Sequence, residues 1–419
     1  MPADQAAAPR PDIADLPLDL KLTGRVSRRD LLVTRFGDEL RVTSLWLVSR
    51  AAVLMVAVVY AFATNARWTG SYQWVTGLFA KWDSDWYRMI AAGGYKGGQV
   101  QAGRCCGQAF FPGYPLLIRA LTPVTRSDVT AGIVISLVAG VVTAMMLYRI
   151  TVDQAARTDR SDAAWPRIAG NRAVFYLAVA PMTIFLSAVY SEAVFLAFAT
   201  SAWWLATRGR WWWAGALAAG AAATRINGLF LLLGLCVLYV VETRKADGRV
   251  LRTEGLSLVL PVLPVIAFFA YLRVTFGSWS TWFHAEQGGW HRSVAWPWQG
   301  WANSWHLLQA APPWRYDLVL SWYEEFGAVI VGVALVVVLA RRRQWPELTY
   351  VAVSALPLIF ASSFYSVPRS ALLWFPGFTI AAIATTRPRG RWLHVPLVVV
   401  SVLLAGTATA IFSSRLWVS

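Results

Sequence analysis

The sequence predicts an all-α membrane protein that crosses the bilayer about eleven times, and three observations support this class. Of the 419 residues, 57% are hydrophobic and 14% are charged, whereas soluble domains contain roughly 25% charged residues. Apolar runs close to the ~20 residues that cross a bilayer recur from residue 44 onward. The basic residues that give a formal net charge of +16 cluster in alternate connections between these runs.

Residues 1–43 precede the first apolar run, and the first part of this segment is rich in Pro, Ala and Asp. The segment contains no apolar stretch that could serve as a cleavable signal peptide. We therefore interpret it as a flexible cytoplasmic tail, and residues 44–414 as one transmembrane domain.

Eleven spans are predicted, each an apolar run between polar or basic breaks. They cover about 44–64, 127–149, 171–188, 190–207, 211–225, 228–242, 255–273, 322–340, 346–362, 371–386 and 392–412. Two long loops interrupt the series, at about 65–126 and 274–321, and the apolar segment 115–121 in the first is predicted to form a short surface helix. The polar break 190–192 separates the third span from the fourth, and 224–228 separates the fifth from the sixth.

Arginine clusters follow the second, fourth, sixth, eighth and tenth spans, which places them all on one side of the membrane. The positive-inside rule makes that side cytoplasmic, together with the N-terminus. The long loops, the two polar breaks and the segment 362–370 are then external, and the odd number of spans puts the C-terminus outside. Because topology accounts for the basic charge, no nucleic-acid partner is expected.

The most distinctive stretch of the first long loop is 81–115. It holds Asp83 and Asp85 among Trp82, Trp86 and Tyr87. Aromatic residues beside an acid are typical of a site that faces a sugar or a lipid headgroup at the bilayer surface. The alternative is an aromatic belt in which the aspartates are incidental.

Topology also brings polar and charged side chains from distant parts of the sequence toward the external face. These are Asp83, Asp85, Glu192, Arg225, His284, Gln287, Arg292 and Arg369. Arg225 lies deepest, because about 15 helical residues after the cytoplasmic turn rise only about 22 Å in a hydrocarbon core of about 30 Å. An ionisable group at that depth usually faces a cavity or a partner. The alternative is an arginine that snorkels outward or pairs with Glu192 for structure alone.

An external cavity that contains an acid and buried arginines suits chemistry on a lipid that carries a phosphate. A carboxylate can accept the proton of an attacking hydroxyl, and arginines can stabilise charge on a phosphate leaving group. The sequence has no Walker A motif, no glycine-rich phosphate loop and no Rossmann-like soluble domain. A nucleotide-sugar enzyme with a soluble catalytic domain is therefore disfavoured.

Metal and disulfide sites have little support in the sequence. His284 and His291 lie near Glu286, but the set of ligands is incomplete, so no metal site is predicted. The three cysteines form neither a disulfide framework nor a zinc motif. For the adjacent Cys105 and Cys106, two free thiols are favoured over the rarer vicinal disulfide, and their oxidation state stays open.

Several blocks of residues carry a family resemblance, and they occur in the family's order. They are Trp82-Asp83 with Tyr87, Gly94-Tyr95, Ala109-Phe110-Phe111-Pro112-x-x-Pro115, Ala180-Pro181-x-x-Ile184-Phe185-Leu186-Ser187-x-x-Tyr190-Ser191-Glu192, Ala223-Thr224-Arg225-x-Asn227-Gly228, and the weaker Gln287-x-x-Trp290-x-Arg292, Trp296-Pro297-Trp298, Pro368-Arg369 and Phe375-Pro376. Together they resemble the PIG-V-type mannosyltransferases, which are GT-C glycosyltransferases.

The resemblance implies a GT-C-type bundle whose long first external loop bears short surface helices and the catalytic acid. It also implies inverting transfer of a sugar from a polyprenyl-phosphate donor to a lipid or glycolipid acceptor, with no nucleotide and no cofactor. By motif position the catalytic base is Asp83. Asp85 is interpreted as a second acid or a ligand of a sugar hydroxyl.

The remaining candidates are expected to bind substrate: Glu192, Arg225, Arg369, Arg292, Gln287 and Tyr87. Arg225 would meet the donor phosphate, and Arg369 and then Arg292 are the next candidates for that role. Glu192 would orient a sugar hydroxyl or hold Arg225. The insert-like segment 96–108 departs from the family pattern, so the acceptor stays open.

The abundance of Arg, Ala and Trp favours a bacterial plasma-membrane protein from a GC-rich genome, with its site on the external face. Mannose is the favoured sugar, while arabinose or another sugar on the same carrier stays open, as does the linkage. Two other functions are kept. A lipid or sugar transporter would share the broken helices, although no internal duplication is evident, and a non-catalytic subunit of an envelope glycan assembly complex would not need Asp83.

Overall fold

The computed structural model describes residues 28–64, 71–96, 106–158, 164–246, 252–290, 293–416 and 418. Within these ranges it has seventeen α-helices, numbered here in chain order: α1 Arg28–Ala63, α2 Tyr72–Gly77, α3 Ser84–Gly93, α4 Gly113–Thr125, α5 Asp128–Thr158, α6 Trp165–Ala178, α7 Glu192–Thr207, α8 Trp211–Thr224, α9 Asn227–Ala246, α10 Val262–Phe276, α11 Thr281–Trp290, α12 Pro297–Ala310, α13 Tyr316–Arg341, α14 Trp345–Ile359, α15 Val367–Ala371, α16 Phe375–Thr386 and α17 His394–Ser413. One isolated antiparallel bridge, between Val294 and Ala361, is the β-structure of the described part. The predicted all-α class is confirmed.

Six helical segments of the described chain are long and apolar enough to cross a membrane. They are Gly37–Ala63, Asp128–Thr158, Asn227–Lys245, Thr253–Phe276, Tyr316–Arg341 and Arg391–Ser413. The multi-pass membrane class is therefore confirmed, but the count of eleven spans is not. Helices α6 and α8 have 14 residues each, which rise only about 21 Å and so fall short of a hydrocarbon core of about 30 Å.

The predicted span 171–188 differs from the structure because its helix stops early. Helix α6 ends at Ala178, and the chain continues through a 3-10 turn at Thr183–Leu186 before α7 begins. The buried Arg50 of α1 fills this break: its guanidinium donates to the carbonyl oxygens of Ala178 at 2.7 Å and Thr183 at 2.9 Å. Those backbone acceptors have lost their helical partners, and the arginine satisfies them.

Helix α5 lies at the centre of the bundle and packs against α1, α4, α6 and α7. Glycines permit the close approach. A Cβ at Gly140 would lie 2.6 Å from the ring of Trp46 in α1, and one at Gly132 would lie 2.6 Å from Val189. Small residues at helix contacts are the usual means of tight packing in membranes.

The first long loop folds back onto this bundle through α3 and α4, and α4 confirms the short helix predicted at 115–121. The hydroxyl of Tyr114 donates to the carbonyl of Gly132 at 3.1 Å. A Cβ at Gly113 would lie only 2.6 Å from the carbonyl oxygen of Ala223, at the end of α8. The loop residues 81–87 are thereby held next to the break between α8 and α9.

Cys106 differs from its prediction. It is disulfide-bonded, so the expectation of a free thiol is wrong at this position. Cys105 lies outside the described residues, and Cys236 is a free, half-buried cysteine on α9.

Candidate active site

Asp83 immediately precedes α3 and is fixed by its backbone. Trp82 has a positive φ of 55°, which turns the chain sharply before the helix. The N–H of Asp83 donates to the hydroxyl of Tyr190 at 3.1 Å, and this hydroxyl donates in turn to the carbonyl of Lys81 at 3.0 Å. The tyrosine therefore ties the aspartate of the first loop to the break that precedes α7.

Arg369 lies on the short helix α15 and pairs directly with Asp83. Its Nη1 donates to Asp83 Oδ2 at 2.7 Å, and its Nε lies 3.2 Å from Glu192 Oε1. The guanidinium also stacks over the rings of Phe185 and Tyr190, at 5.3 and 5.5 Å from their centroids. Burial lowers the pKa of Arg369, but the two carboxylates more than offset this and leave that pKa above its usual value. Arg369 is therefore a fixed cation.

Glu192 and Arg225 form a second pair beneath the first. Glu192, the first residue of α7, is fully buried, and its Oε1 accepts from Arg225 Nη1 at 2.7 Å. Arg225 has an extended backbone between α8 and α9, and the same Nη1 lies 3.0 Å from the hydroxyl oxygen of Ser191. One carboxylate oxygen thus holds two arginines. The four side chains Asp83, Glu192, Arg225 and Arg369 are called the charge network below, and their formal charges sum to zero.

Tyr87 connects α3 to this network. Its hydroxyl is 2.8 Å from the hydroxyl of Ser191, and its ring contacts those of Phe110 and Tyr114 edge-on at 5.0 and 5.1 Å. Burial, followed by the nearby charge of Glu192, raises the pKa of Tyr87 well above its usual value. The side chain is therefore a neutral phenol that can donate or accept a hydrogen bond.

The charge network borders a cavity of about 390 Å³, a volume within the usual range of ligand pockets. Asp83, Tyr87, Arg225 and Arg369 line its polar end. The rest of the lining includes a mainly aromatic wall, formed by Phe110, Phe111, Phe230, Phe269, Trp282 and Phe283, with Glu286 also in the lining. Trp282 is held in place because its Nε1 donates to the carbonyl of Ala109 at 3.1 Å.

Three other predicted site residues, Asp85, Gln287 and Glu192, are not among the residues that line this cavity. Asp85 is nearly half exposed and forms ion pairs with Arg88 at 3.4 Å and Arg415 at 3.5 Å. Gln287 is exposed on α11 and does not line the cavity. Glu192 lies behind the cavity wall, and Arg292 lies outside the described residues. The functional roles assigned to all of them stay predictions.

Two residues near the cavity were not assigned a role in catalysis or substrate binding from the sequence. Ser191, which bridges Tyr87 and Arg225, stands inside a family block and could have been found there. Glu286 was considered only as a neighbour of histidines. Within the described residues, no group of three or more His, Cys, Asp or Glu side chains could hold a metal ion.

Comparison with known proteins gives three findings. The family model of the mannosyltransferases described as PIG-V matches residues 55–378. GPI alpha-1,6-mannosyltransferase 2 of Cricetulus griseus is 30% identical over 212 residues, and that of Mus musculus is 31% identical over 209 residues. The first match covers 48% of this chain and 41% of the relative, so the chain matches less than half of the relative's length. The crystal structure of ArnT from Cupriavidus metallidurans bound to undecaprenyl phosphate covers 87% of this chain and 76% of that chain, at 12% identity and a TM-score of 0.47.

Proposed function

The chain belongs to the mannosyltransferase (PIG-V) family, and from this premise we propose that it is a membrane glycosyltransferase that moves a sugar from a polyprenyl-phosphate donor to a lipid or glycolipid acceptor. The favoured sugar is mannose, and the proposed bundle is of the GT-C type. The observation that carries the proposal is the charge network at the end of the cavity. It places a carboxylate and two arginines where a sugar phosphate and an acceptor hydroxyl could meet.

The proposed reaction is a single inverting displacement. The acceptor hydroxyl oxygen attacks the anomeric carbon of the donor sugar, and the bond between that carbon and the phosphate oxygen breaks. Asp83 takes the proton of the hydroxyl, a contribution typically of about 10²–10⁴-fold in rate. The polyprenyl phosphate leaves with the bonding electrons, and Arg225 and Arg369 stabilise its charge.

Glu192 supports the site without touching the substrate. Because it lies behind the cavity wall and shares Oε1 between two arginines, its proposed role is to hold both guanidinium groups toward the phosphate. The alternative in which Glu192 orients a sugar hydroxyl has no support in its position. Asp85 likewise faces Arg88 and Arg415, away from the cavity lining, which favours a structural role for it.

The aromatic wall suits the sugar and the acceptor. Trp282 and Phe283 can contact the apolar face of a sugar ring, and Glu286 can accept hydrogen bonds from its hydroxyls. Among the described residues that line the cavity, the cations are Arg225 and Arg369, so the phosphate is proposed to lie beside the charge network. By the positive-inside rule the cavity opens on the external face of a bacterial plasma membrane.

The test is sugar transfer by purified protein in liposomes, with labelled polyprenyl-phosphate mannose as donor and an extract of the host's lipids as acceptor. We expect Asp83→Asn to abolish transfer. Asp153→Asn is the matched control, because Asp153 pairs with Arg208 far from the cavity.

Near-normal transfer by Asp83→Asn would refute the assignment of the base. Transfer by neither protein, repeated with a polyprenyl-phosphate arabinose donor, would instead favour a non-catalytic subunit. Movement of the lipid across the bilayer without transfer would favour a transporter.

A further inference from the structure

The segment that carries Arg369 is held by a buried glutamate that has no role in the proposed reaction. Glu325 lies on α13 within a candidate membrane span, and its side chain is 1% exposed. Its Oε1 accepts from the N–H of Ser366 at 2.6 Å, and its Oε2 accepts from the N–H of Val367 at 2.9 Å. Both carboxylate oxygens thus bind successive backbone amides at the start of α15, two residues before Arg369.

The same segment is also held by α12 and by the residues that precede this helix. The N–H of Phe364 donates to the hydroxyl of Ser304 at 2.9 Å, and the side chain of Asn303 donates to the carbonyl of Ser362 at 2.9 Å. The N–H of Ser362 also donates to the carbonyl of Ser293 at 2.9 Å. Residues 362–367 are therefore held both by Glu325 and by α12 with its preceding residues.

The chemistry of this contact requires a carboxylate. Two adjacent amides need two acceptor atoms, and a glutamine would offer one oxygen and one amino group that cannot accept. Ser366 has a positive φ of 60°, a conformation that a non-glycine residue adopts only where its surroundings enforce it. Ionisable residues inside membrane segments are rare and usually functional.

We propose that Glu325 is a positioning residue of the active site: by binding the amides of Ser366 and Val367 it fixes the start of α15 and aims Arg369 at Asp83 and the donor phosphate. This inference rests on the proposed function. Small displacements of a group that acts on the transition state are costly, about 10²-fold for a shift of 1 Å. Glu325 would therefore control transfer without touching the substrate.

The first test is Glu325→Gln in the full-length protein. We expect kcat for transfer to fall about 10²-fold, with the apparent KM for the acceptor unchanged. Glu242→Gln is the matched control. It makes the same substitution at a partly exposed side chain that pairs with Lys245 and lies outside the cavity lining, and should change transfer by no more than about twofold.

The second test is a double-mutant cycle with Arg369→Ala. If Glu325 acts through Arg369, then Glu325→Gln should cost nothing further once Arg369 is absent, within about threefold. If Glu325 instead supports only general stability, adding Glu325→Gln to Arg369→Ala should lower activity by the same factor as adding it to the wild type. That additive result would overturn the proposal.

Hydrogen–deuterium exchange separates this inference from the proposed function. In detergent, Glu325→Gln should accelerate exchange of the Ser366 and Val367 amides, while Glu242→Gln should not. Unchanged exchange would overturn the inference even if the wild type transfers sugar. If the wild type transfers sugar from none of the polyprenyl-phosphate donors, the proposed function fails and the inference falls with it. Accelerated exchange in Glu325→Gln would then support only the structural contact between Glu325 and the two amides.

Discussion

Glu192→Gln tests the charge network most directly, because it removes the charge of one buried carboxylate and changes the shape of the side chain very little. In the wild type, Glu192 Oε1 lies 2.7 Å from Arg225 Nη1 and 3.2 Å from Arg369 Nε. The substitution keeps the volume of the side chain but leaves two cations to one anion, Asp83. The network then carries a net charge in a buried place.

The expected cost is large. Removal of one partner of a buried ion pair lowers the free energy of unfolding by about 3–5 kcal/mol. Solvent can screen little of this, since the arginine side chains are each 17% exposed and Glu192 is fully buried. Total stabilities of proteins are about 5–15 kcal/mol, so we expect marked destabilisation together with loss of donor binding.

The assay is chemical unfolding of the purified protein in detergent, followed by tryptophan fluorescence. Glu242→Gln is the control, because Glu242 forms a partly exposed pair with Lys245 at 3.1 Å that should contribute about 1 kcal/mol or less. The double variant Glu192→Gln/Arg225→Gln removes a cation with the anion and should be more stable than Glu192→Gln alone. A single-variant loss below about 1 kcal/mol, or a double variant with additive losses, would refute the shared counter-ion.

Three further outcomes are expected. Asp85→Asn should lower transfer no more than about fivefold, because partly exposed ion pairs such as its two contribute about 1 kcal/mol or less; a loss as complete as that expected for Asp83→Asn would give Asp85 a catalytic role. Gly113→Ala should lower donor use about tenfold, because its Cβ would lie 2.6 Å from a backbone oxygen at the end of α8 and overpacking costs about 1–3 kcal/mol. Gly37→Ala is the control and should transfer normally, because a Cβ there would have no atom within 4 Å. An impermeant thiol reagent should label Trp298→Cys in intact cells, because this position is exposed on a loop predicted to be external. It should label Arg342→Cys, which is exposed on a predicted cytoplasmic turn, only after permeabilisation. The reverse pattern would show that the predicted topology is inverted.

The membrane class and the approximate meeting of the site residues could be predicted because both follow from one-dimensional patterns. Apolar runs and arginine clusters set the order of membrane crossings, and Asp83, Glu192, Arg225 and Arg369 then fall toward one face. The pair of Glu192 and Arg225 was one of the alternatives considered from the sequence, but the pair of Asp83 and Arg369 could not be predicted. The neighbours of a helix in a bundle are decided by side-chain packing across the whole core, and hydropathy carries no record of it.

The roles of the ionisable residues inside helices could not be predicted, for a different reason. Arg50 is a single ionisable residue in a long apolar stretch and Glu325 follows Glu324 beside another, and nothing in the local pattern separates them from residues that reach the membrane surface. Their partners include backbone atoms, at Thr183 and Val367 among others. Backbone atoms exist at every position and so leave no sequence signal. The early end of α6 at Ala178 was missed with them, because the break depends on Arg50.

The neutrality of the charge network bears on the order of events in the proposed reaction. Arg369 is engaged by Asp83 Oδ2 at 2.7 Å, so the proposed base and the proposed phosphate ligand satisfy each other. A donor phosphate adds negative charge and competes with Asp83 for this guanidinium, because planar guanidinium groups bind phosphate oxygens strongly. When Arg369 turns to the phosphate, the carboxylate of Asp83 is released to accept a proton. Since Glu192 keeps hold of both arginines from behind, the exchange needs only a small movement at the cavity end of Arg369. The donor would therefore have to bind before Asp83 can act on the acceptor hydroxyl. Until then Asp83 stays paired with Arg369.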